Sequence, residues 1–143
     1  MKKIMKNYKI VGKYIKDLKF QIPNPKTFFL LSENISNYKI NFDIKSNQIK
    51  EKIIEVETTL SLTPSKEDFE KINTQIVYST IIEVNKSDLE KKILEKIILV
   101  DVPTDIYPDI RKIFIFVFET SGFKKINIDK HVDFEKLYLL RKN

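Results

Sequence analysis

Two places in the chain hold ionisable side chains at spacings that chemistry could use. Glu55 and Glu57 stand two apart, which on an extended strand puts both carboxylates on one face, where one could serve as acid and the other as base. Asp129, His131 and Asp133 place the sole histidine between two carboxylates, a set able to bind a metal or move a proton. Neither set has the company that catalysis requires. Glu55 and Glu57 belong to IIEVETTLSL, whose alternation accounts for them as the polar face of a strand, and His131 lies in a lysine-flanked linker as a surface residue. No serine or threonine sits in a nucleophile context. The two glycines, Gly12 and Gly122, cannot make GxGxxG or GxxxxGK[ST], so no phosphate-cradling loop is present. Without cysteine there is no thiolate metal site and no disulfide framework. The expectation is a protein that is not an enzyme, holds no cofactor or metal, and works by binding.

The elements that must carry such binding fit one domain of residues 1–143. The balance of 26 basic and 20 acidic residues gives a net charge of +6, but Arg111 and Arg141 are the only arginines and the lysines are scattered. That pattern describes a solvated surface better than a specific nucleic-acid site, which favours the guanidinium fork. MKKIMKNYKI is basic but leads into no apolar signal core, and no run approaches the roughly 18 apolar residues of a membrane span. A soluble, cytoplasmic protein is expected.

Tyr8 to Gln21 reads as a strand that stops at IPNPK, where Pro23 and Pro25 forbid a continued ladder. KTFFLLSENISN has neither helical nor strand period and reads as a loop carrying aromatics. YKINFDIKSN alternates strictly, with Tyr38, Ile40, Phe42 and Ile44 on one face. SNQIKEK then makes a turn, IIEVETTLSL alternates again, TPSKEDFEK is a polar connection, and INTQIVYSTIIEV is a long strand whose second half is apolar on both faces. Four strands in succession imply an antiparallel meander and an α+β fold.

From SDLEKKILEKI the period becomes helical, with Ser87 and Glu90 spaced as a capping box. VDVPTDIYP is expected to break this short helix near Ile97, with Pro108 in the first turn of a second helix and Gly122 as its C-cap. Ile113 to Phe118 are all apolar and suit either a fifth strand or a helix. If helical, they leave an apolar outer side that a second copy of the chain could cover. VDFEKLYLLRKN closes the chain as a short amphipathic helix.

This order of elements resembles the SecB family of export chaperones over nearly the whole chain. YIKDLKFQIPNP is similar to the family's first strand and proline exit, and YKINFDIKSNQIKEKIIEV to its second and third strands. VPTDIYPDIRKIF places Pro103, Ile106, Tyr107, Pro108 and Arg111 at the family's spacing, and SGFKKINIDKHVDFEKLY matches through Gly122, Asn127, Phe134 and Leu137.

The resemblance implies a homotetramer, a dimer of dimers with long helices packed between two eight-stranded sheets. It favours helix over strand for the apolar run and places Ile113, Phe114, Phe116, Val117 and Phe118 at the interface between copies. It implies an ATP-independent holdase that binds unfolded precursor proteins and passes them to the SecA translocation motor. Phe28, Phe29, Leu31, Tyr38, Ile40, Phe42, Phe134 and Tyr138 are the expected client groove. The family's SecA-facing carboxylates correspond here to Asp17, Gln21 and Gln75, so the acidic patch is thinned. That departure leaves room for another partner, such as a toxin–antitoxin pair, or for a basic β-sheet module that binds an anionic partner.

Overall fold

A computed structural model describes residues 7–34, 38–64, 72–124, 126 and 128–142. The elements are β1 (Tyr8–Gln21), α1 (Pro25–Asn34), β2 (Tyr38–Lys50), β3 (Ile53–Pro64), β4 (Asn73–Val84), α2 (Lys91–Lys96), a π-helical segment (Ile97–Asp101), α3 (Val102–Thr120) and α4 (Phe134–Lys142). The α+β class stands, with one four-stranded antiparallel sheet followed by helices. The strand order is β1-β4-β3-β2, so only β2, β3 and β4 form a meander and β1 lies beyond β4 at the opposite edge from β2. The expected connecting turn SNQIKEK shrinks to Glu51 and Lys52, with β2 running on to Lys50 and Lys52 taking a φ of 67°. Most of TPSKEDFEK, and Asn127, lie outside the described residues.

Register settles the two faces of the sheet. Ile10 pairs with Ile82, Leu18 with Ile76 and Phe20 with Thr74, so these residues share the face that packs on the helices. β2 contributes Tyr38, Ile40, Phe42 and Ile44 to that face, opposite Leu62, Leu60 and Thr58 of β3. Val56, Leu60, Ile76 and Ile82 are fully buried there beneath Ile106, Ile110, Phe114 and Phe118 of α3, which recur every fourth residue.

The loop expected at Lys26 to Asn37 is instead helical from Pro25 to Asn34. Asn24 caps it: its side-chain Oδ1 accepts from the Thr27 backbone N–H at 2.8 Å, and its carbonyl accepts from the Phe28 N–H at 3.1 Å. Pro25 follows at the first helical position, where its missing N–H removes no bond.

The expected break at VDVPTDIYP is also absent. Helix continues from Lys91 to Thr120 through the π-helical segment, in which the Val102 N–H reaches back five residues to the Ile97 carbonyl. Pro103, not Pro108, occupies the first turn of α3, and Pro108 lies inside it. A proline at 103 cannot donate to the carbonyl four residues back, and the wider turn accommodates that loss. The Thr104 hydroxyl donates to the Val100 carbonyl at 2.6 Å. The Ser87–Glu90 capping box does not form: Glu90 is the N-cap and makes no side-chain capping bond.

At the other end the sequence reading holds. Gly122 has φ 98°, its N–H donates to the Glu119 carbonyl, and the Phe123 N–H donates to the Phe118 carbonyl. These two bonds are the Schellman closure of α3.

Candidate functional site

Because β2 alternates, its apolar side chains line a wall opposite α4. The Phe42 ring lies 5.2 Å from that of Phe134 and 5.9 Å from that of Tyr107, and Phe134 lies 6.2 Å from Tyr107. Above this aromatic floor is a groove of about 510 Å³ lined by Ile40, Phe42, Ile44, Leu99, Phe134, Leu137, Tyr138 and Leu140, with Asn41 and Asp43 at its β2 rim. The Tyr138 hydroxyl donates to Glu95 Oε2 at 2.9 Å, leaving the rest of its ring along the groove. Among the described residues β2 is an edge strand, so one rim of the groove carries backbone groups that no described strand pairs.

A second depression of about 260 Å³ lies where α1 meets the end of α3, lined by Phe28, Phe29, Leu31, Gly122, Phe123 and Ile126 among others. The Phe28 ring packs 4.8 Å from Phe123 and 5.6 Å from Phe29, while Phe29 is 62% exposed. The eight residues expected in one groove are therefore divided. Ile40, Phe42, Phe134 and Tyr138 meet in the first, Phe28, Phe29 and Leu31 border the second, and Leu31 and Tyr38 are mainly core. Ile44, Leu99, Leu137, Leu140, Phe123 and Ile126 were not expected. Leu140 was legible, three residues on from Leu137 along one helical face.

The outward face of the sheet is different in character. Asp17 is opposite Val77, Gln75 opposite Lys19 and Gln21 opposite Asn73, so the three expected partner-facing residues lie together at one end of it. Asp17 pairs with Lys19 at 3.8 Å. Toward the middle, Glu55 is buried among donors from the other strands: Ser79 Oγ at 2.7 Å, Tyr14 OH and Lys16 Nζ both at 3.2 Å, and Asn47 Nδ2 at 3.3 Å. Lys16 also reaches Glu57 at 3.1 Å. The Ser79 hydrogen bond above all, against some opposing desolvation, holds the Glu55 carboxyl below its ordinary range, with Lys16 and Asn47 helping. A carboxylate held ionised by this many donors is a structural group rather than a proton donor. His131 is exposed, and no metal-binding cluster of His, Cys, Asp or Glu occurs among the described residues.

On α3, Phe114 and Phe118 are 2% and 0% exposed, packed in the protomer's own core with Phe118 against Phe20 and Phe123. Phe116 points away and is 67% exposed, and Ile113 and Val117 are half-buried beside it. The run expected to lie between copies thus separates into an inward pair and an outward face. That outward face is extended by β1, where Ile15 and Leu18 are exposed and Leu18 borders one depression with Val117.

The family sequence model described as Preprotein translocase subunit SecB matches residues 2–143. This chain belongs to the SecB family. It is 42% identical over 137 residues to a relative in Pelagibacter ubique (strain HTCC1062) named "Putative protein-export protein SecB", covering 96% of this chain and 98% of the relative. Protein-export protein SecB of Anaplasma phagocytophilum (strain HZ) is 23% identical over 142 residues, covering 91% and 89% of the two chains. Among solved structures, the Mycobacterium tuberculosis Rv1957 SecB-like chaperone, in complex with a ChAD peptide from the Rv1956 HigA1 antitoxin, superposes with a TM-score of 0.59. Its identity is 10%, with 86% of each chain covered, which shows a shared fold. The protein is a chaperone of protein export. Among the described residues no helix is long and apolar enough to cross a membrane.

Proposed function

We propose that the chain is a cytoplasmic holdase, not an enzyme, that holds non-native precursors in the groove between β2 and α4 and presents them to SecA. The observation that carries this reading is the groove itself. An aromatic floor contacts apolar side chains of any order, and the unpaired edge of β2 offers backbone hydrogen bonds that read no sequence. Such a site needs neither nucleotide nor cofactor.

Assembly follows the exposed surfaces. Two copies meeting along the free edges of β1 make an eight-stranded sheet, and Ile113, Phe116 and Val117, with Ile15 and Leu18, form the apolar side over which dimers pair into a tetramer. Asp17, Gln21 and Gln75 on the outward sheet face are the SecA contact. Lys9–Glu83, Lys16–Glu57 and Lys19–Asp17 ion pairs lace that face, so the charge of these lysines is offset where they stand.

A photoreactive residue placed at Leu137 tests the two surfaces against one at Gln75. The Leu137 probe is expected to crosslink an unfolded precursor and the Gln75 probe SecA. Exchange of these two targets, or no precursor crosslink from the Leu137 probe, refutes the assignment.

A further inference from the structure

Leaving Gly122, the chain turns back along α3. Phe123 packs against Phe118 with ring centroids 5.3 Å apart, Ile128 is buried, and the segment then reaches α4. Two α3 side chains hold it on the way. Arg111 Nε donates to the Ile128 carbonyl at 3.2 Å, and the Tyr107 hydroxyl donates to the Asp129 carbonyl at 2.5 Å. The two donors are four residues apart, so they stand one turn apart on the same face of the helix and catch the carbonyls of consecutive residues.

The helix that this segment delivers is otherwise seated on the π-helical segment and through Phe134 and Tyr138. Among the described side chains of α4, Phe134 alone is buried, while Leu137, Leu139 and Leu140 are all more than two-fifths exposed. Tyr138 adds its bond to Glu95 at the outer end. Yet α4 forms one whole wall of the groove, and the buried Tyr107 ring supports from beneath the Phe42 and Phe134 rings that line it.

We propose that Tyr107 and Arg111 are positioning residues for client capture: by clamping the Ile128 and Asp129 carbonyls to α3 they set where α4 stands and so fix the width of the groove. The inference rests on the reading of that groove as the client site. A wall already in place removes the ordering cost that each client would otherwise meet on binding.

Tyr107→Phe tests this with the least disturbance, because it deletes the hydroxyl and keeps the ring packed under Phe42 and Phe134. Arg111→Met is the second variant, keeping the length of the side chain and losing the donor. Amide hydrogen exchange of the free protein is read over residues 128–140, together with titration of a fluorescent, extended peptide rich in apolar and aromatic residues. In either variant, exchange is expected to quicken in that segment alone. The per-site Kd is expected to rise roughly two- to tenfold, the loss of one ordinary hydrogen bond, with the number of sites unchanged. A merely structural role would instead lower the number of sites at unchanged Kd. That result, unchanged exchange, or faster exchange with wild-type Kd each overturns the proposal. Wild-type protein that binds no peptide sinks the groove reading and this inference with it, whereas normal wild-type binding with unaffected variants sinks the clamp alone.

Discussion

Replacing Phe116 by glutamate separates assembly from folding. A phenylalanine offers about 200 Å² of surface. At 67% exposure about 130 Å² is left for a partner to cover, or about 3 kcal/mol at about 25 cal/mol per Å². A twofold interface contains the residue twice, so the ceiling is about 6 kcal/mol. Half coverage still leaves about 3 kcal/mol, about a hundredfold in the association constant. The substituted carboxylate adds a desolvation penalty in the same direction. Sedimentation at micromolar concentration is expected to show Phe116→Glu as a smaller species than wild type, with the intrinsic stability of the protomer nearly unmoved because the ring is mostly exposed and lies outside the buried core cluster. Phe114→Ala is the contrast. Its ring is 2% exposed and 4.6 Å from that of Phe118, so it is expected to cost about 3–5 kcal/mol of folding stability. Phe116→Glu with wild-type mass would refute the interface, and a wild-type monomer would refute assembly altogether.

Glu55→Gln is expected to flatten the acid limb of the stability curve. The Glu55 carboxyl titrates below its ordinary 4.5 in the folded chain, so its stabilisation is complete above that value and disappears as pH falls through the lower folded pKa; parallel acid-denaturation curves for the two proteins would contradict the buried network. Thr58→Val is expected to raise stability by about 1 kcal/mol, because the Thr58 hydroxyl is buried without a hydrogen-bond partner among the described residues, and a fall in melting temperature would show that it has one. Gly122→Val forces a branched residue to φ 98°, a conformation strained for any side chain even though its Cβ would meet Phe28 at an ordinary contact of 3.6 Å, and is expected to cost about 2 kcal/mol; an unchanged denaturation midpoint would show that the Schellman turn relaxes freely. Phe28→Ser with Tyr138→Ser is expected to weaken precursor capture while the assembly stays intact, read by client pull-down beside sedimentation, and loss of both together would return these rings to the core.

What could be read from the chain beforehand was whatever its own neighbours in sequence determine. YKINFDIK alternates because β2 buries one side only, and Gly122 closes α3 because a left-handed residue was needed there. The α1 helix is not legible from periodicity because FFLL shows none, although Asn24 followed by Pro25 is a local start signal. Proline rules place the break at 100–108, but the π-helical segment absorbs Pro103 and carries the helix through. The position of β1 beside β4 depends on pairing between residues far apart, such as Tyr8 with Val84, which no local pattern encodes. The same is true of the site. Phe42, Tyr107 and Phe134 come from three distant segments, and the division of Phe114 and Phe118 from Phe116 appears only once α3 lies on the sheet.

The central claim, that this SecB-family chain holds non-native precursors without consuming nucleotide, is tested most directly by light scattering of a precursor diluted from denaturant. With stoichiometric chain and no nucleotide, the rise in scattering is expected to be suppressed, and Phe42→Ser is expected to restore much of it. Scattering that rises as it does without the chain, or that is suppressed only when ATP is added, would contradict the account.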